Sequence, residues 1–160
     1  AFTVIESPDA EGVLYAHGGV TGGHSLHVQG RRLVYAYNWL DITRTVVTSD
    51  RELEPGPHVL TAEFTVEGRS EPPAPGAKGT LRLYIDDVEV GSSPLITQPG
   101  YFNPVGDGHV VGRKEGSPVT SSYTPPFPFT GGTLDRVVLD VSGTPYRDHE
   151  AEVRGWFMLD

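Results

Sequence analysis

The residues of this chain whose types could do chemistry are its histidines, its paired acids and a few hydroxyls beside glycines. His24 and His27 stand three apart in the alternating run G-G-H-S-L-H-V-Q. On a strand they point to opposite faces, so they cannot share a metal without a bulge. His17 and His24 on sequential strands remain as a pair, and ordinary surface or hydrogen-bonded histidines fit the same residues. Asp86-x-x-Glu89 supplies half of the E-x-D-x-x-E strand that places a glycosidase's nucleophile and acid on one face, but Tyr84 stands where the first Glu belongs. Gly23-x-Ser25 is followed by His27 where a nucleophile elbow needs glycine. Gly106-x-Gly108 has Val111 at the third glycine of a dinucleotide loop. Asn103 and Asp107 with nearby carbonyls offer hard oxygen donors for calcium, and plain loop residues would look the same. The expectation is a chain with no catalytic residue and no cofactor, calcium at Asn103 and Asp107 being the least weak metal idea.

Composition narrows the partners. Twelve basic against 21 acidic residues leave a net charge of −9, which repels phosphate backbones, so no nucleic-acid partner is expected. No apolar run approaches the roughly 18 residues that span a bilayer, so no membrane partner is expected either. The absence of cysteine removes disulfides and thiolate sites and leaves the compartment open, cytoplasmic or periplasmic and secreted. With 160 residues, one domain with a real core is expected. The opening run Ala1-Phe2-Thr3-Val4-Ile5 alternates like a strand with no leader before it, which reads as a segment cut from a longer polypeptide, the alternative being a processed mature chain.

The elements that must position these residues are strands. Gln29-Gly30 reads as a hairpin turn pairing Leu26 with Leu33 and His24 with Tyr35. One face of that ribbon carries Leu26, Val28, Leu33, Tyr35, Tyr37 and Trp39 and belongs to a core. The other carries Ser25, His27, Arg32, Val34, Ala36 and Asn38 and is left for solvent or a groove. Leu60, Ala62, Phe64 and Val66 alternate cleanly with Thr61, Glu63, Thr65 and Glu67. Gly68 to Gly79 reads as a Pro- and Gly-rich mobile loop, Asp86-Asp87 as a second hairpin turn, and Thr133 to Val141 as the last strong strand. About ten short strands with no strand–helix alternation predict an all-β, antiparallel two-sheet jelly-roll sandwich over residues 1–144. Residues 145–160 form a tail, read as a short C-terminal helix, although Val153, Gly155, Phe157 and Leu159 would also suit a strand. Tyr123, Phe127 and Phe129, in a proline-stiffened stretch, are interface candidates; a loop folded over its own sandwich fits equally.

Several patterns occur in order: Gly12-Val13-Leu14 leading to Gly18-Gly19, Gly23-His24-Ser25-Leu26, Val34-Tyr35-Ala36-Tyr37-Asn38, Leu53-x-Pro55-Gly56-x-His58, Gly79-Thr80-Leu81-x-Leu83-Tyr84-Ile85-Asp86, Val111-Gly112-Arg113 and Pro126-Phe127-Pro128-Phe129-Thr130-Gly131. Together, from near residue 2 to about residue 142, they resemble the C-terminal domain of bacterial arylsulfatases, a sandwich similar to concanavalin A and laminin G modules. Lys114 departs from that pattern, where an acidic residue commonly follows Gly-Arg. The resemblance implies an accessory domain whose partner is the N-terminal sulfatase catalytic domain of the same polypeptide. The family's C/S-x-P-x-R nucleophile motif is missing, since Ser92-Ser93-Pro94 is followed by Ile96 where Arg is required. The alternative is a free-standing carbohydrate-binding module that uses the His27, Arg32 and Asn38 face or adjacent loops.

Overall fold

The computed structural model describes residues 1–70, 76–98 and 107–141. Among them the chain forms ten strands: β1 (Phe2–Ile5), β2 (Gly12–Gly19), β3 (Gly22–Gln29), β4 (Arg32–Trp39), β5 (Thr43–Thr48), β6 (Gly56–Arg69), β7 (Ala77–Ile85), β8 (Val88–Ile96), β9 (Asp107–Val111) and β10 (Gly132–Arg136). They make two five-stranded sheets in the orders β10-β1-β6-β7-β8 and β5-β4-β3-β2-β9. Every pairing is antiparallel. No helix among the described residues is long and apolar enough to cross a membrane.

Period-two alternation explains how the sheets face each other. Leu14, Leu26, Val28, Leu33 and Val47 of one sheet meet Ile5, Leu60, Leu81, Leu83, Ile85, Val90 and Leu95 of the other in one buried cluster. Each of these side chains contributes about 1.5–3 kcal/mol by leaving water. Tyr35, Tyr37 and Phe64 pack against the cluster's margin. The sheets also join at one corner, where the Asp50 amide donates to the Val90 carbonyl at 2.7 Å.

The first long hairpin keeps the expected faces but not the expected register. Leu26 pairs with Tyr35, Val28 with Leu33 and Gln29 with Arg32. The turn residues are therefore Gly30 and Arg31, both left-handed with φ 55 and 64, as a tight two-residue hairpin demands. A slip of two residues along one strand leaves every side chain on its original face, so the periodicity could not reveal it. Arg31 is held there by an ion pair with Glu52 at 3.0 Å, and its carbonyl accepts from the Leu53 amide. The second turn lies at Asp86-Asp87 as read, with φ 52 and 64.

Two expectations are corrected. The Gly68–Gly79 loop is shorter, because β6 runs to Arg69 and β7 starts at Ala77, with Arg69 paired to Ala77. The last strand ends at Arg136 instead of Val141, since β1, its neighbour among the described residues, pairs only from Phe2 to Ile5. The helical tail 145–160 lies outside the described residues.

Candidate functional site

The outer face of the sheet β5-β4-β3-β2-β9 carries small residues, which leaves room for a second layer. Residues 113–130 cross it as a strap. Phe127 N donates to the Lys114 carbonyl at 2.9 Å, Phe129 N to the Gly112 carbonyl at 2.8 Å, and Val13 N to the Phe127 carbonyl at 3.2 Å. The side chains of Gln29 and Ser117 add bonds to Ser122 O at 2.5 Å and from Val20 N at 2.8 Å. Gly12 makes the close approach possible: its φ is 124, and a Cβ there would lie 2.1 Å from the Pro128 carbonyl oxygen. Under the strap, Val13, Ala16 and Tyr123 form a second buried cluster, with Val110 and Phe127 at its margin.

His27, Asn38 and Lys114 are each 0 % exposed beneath or within this layer. The His27 ring meets Tyr123 edge-on at 5.2 Å and Phe127 at 6.3 Å, and those two stack on each other at 4.8 Å. His27 Nδ1 lies 3.3 Å from Ser25 Oγ, while Nε2 is buried without a partner. Burial pushes the His27 imidazole down from 6.5 to about 4. Asn38 is fully used: its amide donates to the Gly19 and Val20 carbonyls at 3.2 and 2.9 Å, and its oxygen accepts from Asp41 N at 2.9 Å. Lys114 donates from Nζ to the Gly18 carbonyl at 2.6 Å. Arg32 is half-buried and donates to Ser49 O at 2.8 Å. Phe129 packs on the main core instead of the strap cluster. The face read as open to a ligand is thus closed by the chain's own strap, with Tyr123 and Phe127 as its inward anchors.

A second group of titratable side chains gathers between the sheets at one end. His17 and His24 are cross-strand partners, and His109 of β9 stacks on His17 at 4.3 Å and 14°. His24 meets the His17 ring at 5.9 Å and lies between Tyr15 and Tyr35, at 5.5 and 5.8 Å. The Tyr15 hydroxyl and His109 Nδ1 are hydrogen-bonded at 2.6 Å. Burial first, and then the charges of His17 and His109, hold His24 down near 4. Gly23 is required here: with φ 143, a Cβ would lie 2.1 Å from the His17 carbonyl. Near-parallel stacked rings do not aim their lone pairs at one point. Among the described residues no three His, Cys, Asp or Glu are placed to hold a metal ion. Asn103 lies outside the described residues, and Asp107 opens β9 opposite Gly18.

The outer face of the other sheet is open. His58 Nδ1 meets Asp86 Oδ2 at 2.6 Å and its Nε2 meets the Glu54 carbonyl at 2.8 Å. Both ring nitrogens are engaged, so this His–Asp pair clasps the β6–β7 hairpin and has no nitrogen left to serve as a base. Burial raises the Asp86 carboxyl, but the bonds from Val59 N and His58 outweigh it and the net direction is down. Beside the clasp a hollow of about 260 Å³ is walled by Phe2, Val4, Pro57 and Val59, with Asp86 and Asp135 at its rim. A larger groove of about 540 Å³ lies along β6, lined by Glu63, Phe64, Tyr84, Asp87, Val138 and Asp140. Tyr84 donates to Glu63 Oε2 at 2.9 Å.

Reading the sequence alone paired His17 with His24 only as an open option and missed His109 and Tyr15. The near-palindrome H-G-G-V-T-G-G-H is the signal that centres a hairpin on Val20-Thr21 and brings the two histidines level. Nothing comparable marks Lys114. No family model, no curated protein and no solved structure matches this chain.

Proposed function

We propose that this chain is the non-catalytic C-terminal accessory domain of an arylsulfatase-type sulfuric ester hydrolase, bracing the catalytic domain or shaping the entrance to its site. The ordered motifs from Gly12 to Gly131 support the family. The observation that carries the accessory role is the open apolar hollow of Phe2, Val4, Pro57 and Val59 on the outer face of the sheet β10-β1-β6-β7-β8. Val4 is 40 % exposed there, and Val138, Leu139 and Val141 leave the same sheet with more than half of their surface in water. A contiguous apolar patch that takes in the hollow would mark a docking face. The reaction itself would belong to the neighbouring domain, with its C/S-x-P-x-R nucleophile. The test is the polypeptide encoded upstream of Ala1, where an α/β domain with that motif is expected. Its absence, or turnover of an aryl sulfate by the isolated chain, overturns the proposal.

One observation favours a second reading, a carbohydrate-binding module. The groove along β6 sets the Tyr84 ring beside the carboxylates of Glu63, Asp87 and Asp140. Ring faces stack on sugars and carboxylates accept from their hydroxyls. Under this reading the isolated chain binds glycans on an array and Tyr84→Ala abolishes the signal; an accessory domain binds none.

A further inference from the structure

Up to Pro128 the strap packs apart from the inter-sheet core, and Phe129 anchors its end in that core. Its buried cluster of Val13, Ala16 and Tyr123 is separate from the main inter-sheet core, and it is far smaller. Small satellite clusters open at lower free energy than the core they lie on. At the centre of this one sits an ionisable ring, His27, under Tyr123 and Phe127.

The surroundings of His27 accept it only when neutral. From β3 it faces Ser25, from β4 Val34, and from β2 Val13. From the strap it faces Tyr123 and Phe127. None of these neighbours of the ring carries a carboxylate. Glu115 pairs outside with Arg113 at 2.6 Å. A proton on His27 would therefore meet no counter-ion among these neighbours, and its Nε2–H would have no acceptor while the strap is closed.

We propose that residues 113–128 are an acid-released cover: protonation of His27 lifts the strap from the outer face of its sheet while the sandwich beneath, with Phe129 anchored in it, stays folded. This inference stands on the strap's own geometry and does not depend on the sulfatase reading. The sign follows from linkage. In the open state His27 titrates near its ordinary 6.5, and under the strap near 4. The open state takes up the proton more readily, so closure is fully favoured above 6.5 and weakens as pH falls towards 4. Between pH 7.5 and 4.5 the opening equilibrium rises about seventyfold by this linkage. Release would expose Ser25, His27, Ala36 and Asn38, a polar floor that is shut at neutral pH.

Hydrogen exchange read by mass spectrometry at pH 7.5 and 4.5, corrected for intrinsic rates, tests the proposal. Peptides from 113–128 should exchange several tens of times faster in acid, while peptides from β6 and β7 keep their protection. In His27→Phe, and in His27→Gln should the first variant fail to fold, the acid effect on the strap should vanish. NMR titration of the wild-type histidines gives an independent reading, with His27 expected well below 6. No acceleration, acceleration spread evenly over the chain, persistence in the His27 variants, transfer of the effect to a His24→Phe variant, or an ordinary His27 titration would each overturn it.

Discussion

The outer faces of the two sheets begin from similar alternating strands and end in opposite states. On β6 and β7 the outward residues are long and polar: Glu63 pairs across with Arg82, Thr65 with Thr80, and Thr61 with Tyr84. Their heads reach water while their stems cover the sheet. On β2, β3 and β4 the outward residues are Val13, Ala16, Ser25, His27, Ala36 and Asn38, too short to cover a sheet by themselves. A bare face of that kind leaves backbone and apolar surface exposed, and a proline-stiffened strap closes over it. Short, mildly polar side chains on a strand thus signal space for another layer at least as well as they signal solvent.

The comparison can be broken most severely at the strap. Tyr123→Ala removes the ring that covers His27 and should cost about 3 kcal/mol, as aromatic-to-alanine changes in packed clusters do. Urea unfolding should show the loss, and amide exchange should localise the first opening to residues 113–128. Next in size is Asn38→Ala, which leaves the Gly19 and Val20 carbonyls and the Asp41 amide without their side-chain partner. About 2 kcal/mol is expected from stranding buried backbone groups, measured as a lower urea midpoint with an unchanged slope. The open face should hardly respond. Tyr84→Phe deletes the exposed bond to Glu63 and should shift stability by less than about 0.5 kcal/mol. If Tyr84→Phe proved as costly as Asn38→Ala, the contrast between a solvated face and a covered one would fail.

Much of the fold was legible in the residues. The alternation of Leu26, Val28, Leu33 and Tyr35, and of Leu60, Ala62, Phe64 and Val66, assigns strands and core faces from side-chain period alone. The turn at Asp86-Asp87 was legible for the same local reason. The candidate site was much less so. His27 and Asn38 look like surface residues in a one-strand reading, because nothing within their own strand shows that residues some 90 positions later fold over them. The Gly22–Thr48 ribbon shows the same limit at smaller scale: its faces follow from period two, which does not distinguish the expected register from the one with Gly30 and Arg31 in the turn.

By itself, then, the sequence determined the class of structure and the two alternating faces of each strand. These are properties of neighbours along the chain, set by backbone geometry and hydropathy. Only the tertiary structure decided which polar face is wet, which histidines meet and where open surface remains. Those depend on the volume left between distant segments, as when Pro128 closes on Gly12 and Tyr123 settles on His27. Burial sets the charge state of an imidazole, and burial is a property of the packed molecule.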